Sequence, residues 1–350
     1  MELGGIRAKI DRIDCQLIKL LDERMELALR TRNLKSQVLD EEREKKVIEN
    51  VNRLARGLIP ADFLAGIFRE IIAESRRLQG LDFRLIGFQG EHGANSESAA
   101  RVFNPKLMPI PCPEFADVFA AVEDKDLDLG IVPVENSLEG AVTEVNDLLI
   151  QHALKIVGEI KIPIHHSLLT LAETDYREIK VVYSHPQALA QCRKFISRNK
   201  LEPRPFYDTA GAAKMISESR PPAAAAIASR SCAEYYNLEI IKENIEDERT
   251  NSTRFLILSR QDDVGEGDKC SIVFSTRHEA GALFNILRTF ADSAINLTRI
   301  ESRPNKNDPG KYIFLLDFKG SPRDEKVKRV LEEVERKAGT YKILGCYKEV

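Results

Sequence analysis

Neither charge is in excess in this 350-residue chain: 52 Lys and Arg stand against 55 Asp and Glu, a formal net charge of −3. That balance speaks against a dedicated nucleic-acid binder, which carries a basic surplus or a basic face. No uncharged run approaches the roughly 18 apolar residues that a membrane helix needs. The stretch Met1 to Arg12 alternates charge with apolar residues and lacks a signal-peptide core, so a cytoplasmic location is expected. The six cysteines, at positions 15, 112, 192, 232, 270 and 346, include no CxxC pair. They are expected to be reduced thiols rather than a disulfide framework or a zinc site. The histidines show no HExxH spacing, so no metal is expected. At 43% apolar and 31% charged residues the composition is that of a folded globular chain. Its length, at about 150 residues per domain, predicts two or three domains.

Three segments follow different patterns. From Ile6 to Arg56 there is neither glycine nor proline. Ile6, Ile10, Ile13, Leu17, Leu21, Ala28 and Leu34 recur at the spacing of a long amphipathic helix. Asp40 is placed to cap a second helix that turns Val47, Ile48, Val51 and Leu54 inward and stops at Gly57. Pro60 opens a third that runs to Gly80. The first helix is too long to bury its own stripe, which predicts a partner chain. From Phe83 to about Arg260, short apolar runs alternate with helical periodicity, as in an α/β sheet with two lobes and a crossing near Ile160 to Leu171. After the acidic stretch 262–268, a βαββαβ order over some 80 residues predicts a ferredoxin-like module.

In the helical segment, Arg24 and Lys35 are eleven residues apart, about 20° around the helix and roughly 16 Å along it. Two long cations on one face can grip a small dianion. Arg7 is about 25 Å from Arg24 and on a different side, so any contribution it makes is expected in a partner's site. Asp40, Arg43 and Glu44 open the second helix, while Ser75 and Gln79 are i,i+4 neighbours on the third. Each cluster taken alone also fits a solvated helix face. None of these residues is a nucleophile, which suits a reaction needing only shape and electrostatics. In type and order, Arg7, Arg24, Lys35, Asp40, Arg43, Glu44, Ser75 and Gln79 resemble the active-site residues of all-helical chorismate mutases. The resemblance implies an intertwined homodimer that rearranges chorismate to prephenate. Arg7 from the partner, Arg24, and Arg43 or Lys35 would hold the carboxylates, Lys35 and Gln79 would face the ether oxygen, and Glu44 would take the ring hydroxyl.

The middle segment places polar groups at several strand ends, where α/β ligands bind. These are Gly90-Glu91-His92-Gly93-Ala94-Asn95-Ser96, Val132-Pro133-Val134-Glu135-Asn136-Ser137, Ser184-His185-Pro186-Gln187 with Gln191, and Asn251-Ser252-Thr253-Arg254-Phe255. Any one could be a structural turn; together they favour a cleft. VPVENS, YSHPQ and STRF resemble the motifs of prephenate dehydratases, a family with a two-lobed, periplasmic-binding-like α/β fold. The resemblance implies loss of the ring carboxylate and the 4-hydroxyl of prephenate to give phenylpyruvate. Thr253 would donate the proton, and Asn136, Ser137, Ser184, Gln191 and Arg254 would position the substrate. A threonine hydroxyl is a poor acid alone and needs a polarising neighbour. His165 and His166 are expected at structural or surface positions, and His185 is expected to fix its loop.

In the last segment, Gly281-Ala282-Leu283-Phe284 and Glu301-Ser302-Arg303-Pro304 resemble the two motifs of the regulatory ACT domain. That implies L-phenylalanine as effector, bound at a subunit interface by Gly281, Ala282, Leu283, Glu301 and Ser302. The combined resemblance divides the chain into a mutase (1–80), a dehydratase (83–260) and an ACT domain (268–350). It implies a homo-oligomer, a dimer or dimer of dimers, that needs no metal or organic cofactor. Two alternatives stay open: a dehydratase preferring arogenate, and a non-catalytic amino-acid sensor.

Overall fold

The computed structural model describes residues 3–348 except 33, 35–38, 262–266, 278, 306, 307, 309 and 310. It divides into two compact units, Met1–Leu85 with Lys125–Leu127, and Ile86–Asp124 with Asp128–Val350.

The first unit is three helices, α1 (Leu3–Arg32), α2 (Glu41–Leu54) and α3 (Ala61–Gln79). The expected punctuation sets their limits. Asp40 caps α2 by accepting the backbone N–H of Arg43, Pro60 precedes α3, and Gly80 closes it. Their shared core is small: Leu29 of α1, Val51 of α2, and Ala65 and Ile72 of α3 are buried. The expected α1 stripe is uncovered in a single copy, with Ile10 and Leu17 each 52% exposed. Leu54, expected to turn inward, is exposed as well, because it ends α2 one turn beyond the last side chain that packs, Val51.

The second unit begins with a sheet built from β1 (Leu85–Gln89), β2 (Met108–Cys112), β3 (Leu129–Asn136), β4 (Gly140–Ala141) and β5 (Lys155–Pro163). The helices α4 (Asn95–Phe103), α5 (Phe115–Glu123) and α6 (Thr143–Gln151) accompany it. The chain crosses once to a second sheet of β6 (Ser167–Thr170), β7 (Val181–Ser184), β8 (Glu202–Pro205), β9 (Ala224–Ala228) and β10 (Glu239–Lys242). Helices α7 (Pro186–Gln191), α8 (Arg193–Arg198), α9 (Thr209–Ser219) and α10 (Arg230–Tyr236) belong to that lobe. It then returns as β11 (Ser252–Ser259), which inserts antiparallel between β3 and β5. The strand orders are β2-β1-β3-β11-β5 and β10-β6-β9-β7-β8. Two crossings, at 164–166 and 243–251, therefore join the lobes, and the first lies where the sequence predicts it.

A third sheet follows: β12 (Lys269–Ser275), α11 (Ala282–Asp292), β13 (Leu297–Pro304), β14 (Tyr312–Lys319), α12 (Glu325–Lys337) and β15 (Tyr341–Tyr347). Its order β13-β14-β12-β15 is the expected ferredoxin-like arrangement. Cys270 on β12 and Cys346 on β15 face each other with Cα atoms 4.1 Å apart and form a disulfide. This corrects the expectation of six free thiols. The partners are 76 residues apart in sequence, and only the β12–β15 register brings them together. Cys15, Cys112, Cys192 and Cys232 are thiols. Among the described residues no helix is long and apolar enough to cross a membrane, and no cluster of His, Cys, Asp or Glu is arranged to hold a metal.

Candidate active sites

Three of the eight residues singled out in the helical unit, Arg24, Ser75 and Gln79, lie where α1 packs on α3, and Arg43 neighbours Arg24 from α2. Arg24 Nη1 donates to Ser75 Oγ at 2.7 Å, and Ser75 is buried one turn after Ile71, whose carbonyl accepts its hydroxyl. Burial, and secondarily the neighbouring Arg43, lower the pKa of Arg24. An anion bound between the two guanidinium groups would relieve that repulsion. Gln79, buried one turn after Ser75, gives its amide hydrogens to Ala28 O at 2.5 Å and Thr31 Oγ1 at 3.0 Å. To donate to a ligand it must give up one of these. Glu44 lies 3.4 Å from Arg76 Nε, a cation absent from the expected set. Asp40 acts as the α2 cap, and Arg7 is exposed near the other end of α1. Lys35 lies outside the described residues.

In the second unit a cavity of about 440 Å³ opens between the two lobes. From the first lobe it is lined by Asn95, Ser96, Asn136, Thr253 and Phe255, and from the second by His166, His185, Gln191, Asp208 and Thr209, among others. No Lys or Arg is among its described lining residues. Instead α4 and α9 begin at its wall, with Asn95 and Thr209 as their first residues. Helix N-termini present free N–H groups to an anion without a cationic side chain. Gly90, at φ +107°, lets the loop before α4 approach Asp208, whose Oδ2 accepts the N–H of Glu91 at 3.2 Å. Burial raises the pKa of Asp208, although its backbone hydrogen bonds oppose this.

At the edge of the cavity Asn136 Nδ2 donates to Thr253 Oγ1 at 2.9 Å. With a lone pair occupied, the Thr253 hydroxyl keeps its own hydrogen for another acceptor. Gln191 Oε1 accepts from His166 Nε2 at 2.8 Å. His166 is 3% exposed, and burial lowers its pKa against the opposing pull of its bond to Gln191. The structural or surface expectation thus holds for His165, half exposed and paired with Glu246, whereas His166 faces the cavity. Adjacent histidines carry no spacing signal that separates these two fates.

The other carried-over residues lie elsewhere. Ser184 is fully buried and donates to Ile227 O at 2.5 Å, and Ser137 is exposed and donates to Thr250 O; neither is among the lining residues. The family resemblance puts Arg254 on the substrate. Its guanidinium instead lies on the opposite face of β11 from Thr253, 2.8 Å from Glu159 and 2.7 Å from Asp317 of β14. Burial opposes its charge, but Asp317 and Glu159 outweigh it and raise the pKa. Lys269 completes the cluster at 2.6 Å from Glu159. In the C-terminal module Gly281 has φ +82° and opens α11, with Ala282 and Leu283 half-buried after it. Glu301 and Ser302 lie on the edge strand β13, alternately half-buried and exposed.

Three family descriptions match the chain in order: chorismate mutase type II over residues 6–80, prephenate dehydratase over 86–263, and ACT domain over 271–336. A bifunctional chorismate mutase/prephenate dehydratase from Aquifex aeolicus is 37% identical over 358 residues, covering 99% of this chain and 98% of its own. Among solved structures, prephenate dehydratase from Arthrobacter aurescens in complex with L-Phe is 31% identical with a TM-score of 0.71, covering 75% of this chain and 89% of that one. A protein described as a novel type of quorum-quenching acylase is 35% identical, also with a TM-score of 0.71, covering 76% and 98%.

Proposed function

This chain belongs to the family of bifunctional chorismate mutase/prephenate dehydratases, and on that premise we propose how its residues divide the work. The helical segment, 1–80, rearranges chorismate to prephenate. The two lobes, 83–260, convert prephenate to phenylpyruvate, and the ACT module, 268–350, binds L-phenylalanine through Gly281, Ala282, Leu283, Glu301 and Ser302 to inhibit the pathway's flow. The protein works in the cytoplasm.

For the first reaction, Arg24, held by Ser75, binds one carboxylate, and Arg43 or Lys35 the other. Lys35 and Gln79 meet the ether oxygen as its negative charge grows, and Glu44 takes the ring hydroxyl. A second copy covers the α1 stripe and supplies Arg7, so the working unit is a homo-oligomer. Each Ile or Leu so buried is worth about 1.5–3 kcal/mol, enough in series to hold two chains together.

For the second reaction, the helix starts at Asn95 and Thr209 hold the carboxylates, Asn136 and Gln191 orient the ring, and Thr253 protonates the departing hydroxyl. Ser137 and Ser184 act by fixing the loops that carry Asn136 and His185. The observation that carries this reading is the 2.9 Å bond from Asn136 to Thr253 Oγ1, which leaves the threonine hydrogen to the substrate. Prephenate is favoured over arogenate because the same chain makes it. An acylase would need an activated nucleophile. Among the described residues lining this cavity, no hydroxyl is hydrogen-bonded to a histidine. The test is to supply the purified chain with chorismate and follow both products. Prephenate should rise first and phenylpyruvate after it, with the second step slowed by phenylalanine. Chorismate left unconsumed would overturn the reading in favour of a sensor, and a faster rate on arogenate than on prephenate would reassign the second substrate.

A further inference from the structure

Asn251 closes the second crossing between the lobes, one residue before β11, and is 1% exposed. Its backbone carbonyl accepts the N–H of Ile164 in the first crossing at 3.0 Å, so the two connections are tied together at this residue. Its side chain faces both lobes. Asn251 Oδ1 accepts from Asn136 Nδ2 at 2.8 Å, and Asn251 Nδ2 donates to Gln191 Oε1 at 3.0 Å.

The polarity of this chain of amides is determined at each end. Asn136 Oδ1 accepts the backbone N–H groups of Leu138 and Glu139, so its NH₂ must face Asn251 and Thr253. Gln191 Nε2 donates to Glu139 Oε1 at 3.1 Å, so its carbonyl must face Asn251 and His166. Among the described residues, Asn251 is the side chain whose amide bonds to both side-chain amides. By taking one hydrogen of Asn136 it aims the other at Thr253 Oγ1, and by donating to Gln191 it holds the opposite lobe in step. We propose that Asn251 is a positioning residue that couples the seating of the second lobe to the direction of the Thr253 hydroxyl proton. The proposal rests on the assignment of Thr253 as proton donor.

The test is a double-mutant cycle on the full chain with prephenate as substrate. Asn251→Ala should lower kcat by about ten- to a hundredfold, the scale of a misplaced catalytic group, while KM changes less than about threefold. In a Thr253→Ala background the same change should cost less than about twofold, because Asn251 then has no hydroxyl to direct. Asn251→Asp keeps the acceptor for Asn136 but turns an acceptor on Gln191, so it should retain kcat within about threefold and raise KM. If the alanine variant does not fold, that split decides the matter, and an aspartate variant that loses kcat alone overturns the proposal. A full loss from Asn251→Ala in the Thr253→Ala background would reveal a merely structural role. Unchanged kcat in Asn251→Ala, beside an inactive Thr253→Ala, would sink this proposal and leave the Thr253 assignment standing. A Thr253→Ala chain at wild-type rate would remove that assignment itself.

Discussion

Thr253 and Arg254 are neighbours on β11 that serve opposite faces of one sheet. Thr253 accepts from Asn136 at the cavity, and Arg254 forms a 2.7 Å pair with Asp317 in the ferredoxin-like module. The strand that carries the proposed acid is thus anchored from behind by the module proposed to sense the end product. A β-bulge separates Arg254 from Phe255 where β11 meets β3, and bulges re-aim the side chains beside them.

Removing the guanidinium should therefore cost stability more than substrate binding. Arg254→Met removes the cation that Glu159 and Asp317 share, leaving Glu159 to Lys269 and Asp317 to Ser271 and Arg299. It should destabilise the second unit by about 3 kcal/mol, the low end for a broken buried pair, read from urea unfolding. KM for prephenate on the folded fraction should change less than about threefold. A large rise in KM with an unchanged unfolding midpoint would mean that the guanidinium touches substrate after all.

Arg24→Ala should abolish chorismate rearrangement, a loss of about a hundredfold or more, because it removes the cation that Ser75 holds in place. Dehydration of supplied prephenate should persist. Loss of both activities would contradict separate sites. Ser75→Ala, which frees Arg24 without removing it, should cost less.

The oligomer proposal is tested on α1. Leu17→Lys puts a charge into the stripe that a second copy is proposed to bury. It should shift the protein to monomer in sedimentation and abolish mutase turnover while leaving dehydration measurable. An unchanged oligomer would move the interface elsewhere.

Glu97, at the start of α4, clamps the glycine loop by accepting the Gly93 N–H at 2.7 Å and pairing with Arg101 and His92. Burial alone would raise its pKa, but the hydrogen bonds from His92, Gly93 and Arg101 prevail and hold it at about 2 instead of 4.5. A carboxyl depressed in the folded state contributes stability that is complete above pH 4.5 and lost as pH falls toward 2. The amount is about 3 kcal/mol. Glu97→Gln should lower stability at neutral pH and flatten this part of the acid-unfolding profile; an identical profile would contradict the clamp.

Much of this architecture was legible in the sequence. Asp40, Pro60 and Gly80 bound the helices as local chemistry requires, and the βαββαβ order needs only alternating periodicities. What escaped was set by register and by which face a strand turns. The Cys270–Cys346 pair depends on how β12 meets β15, which no spacing of 76 residues reveals. The face of Arg254 could have been read, since a period of two puts Thr253 and Phe255 on one side of a strand and Arg254 on the other. His166 and Asn251 belong to the crossings, and their importance arises only when two lobes converge on them.

The Thr253→Ala chain, given chorismate as sole substrate, isolates the second step from the first. Thr253 as the general acid requires stoichiometric accumulation of prephenate, with phenylpyruvate formation slowed by about a hundredfold or more, the scale of a lost general acid. Phenylpyruvate forming at the wild-type rate would contradict it.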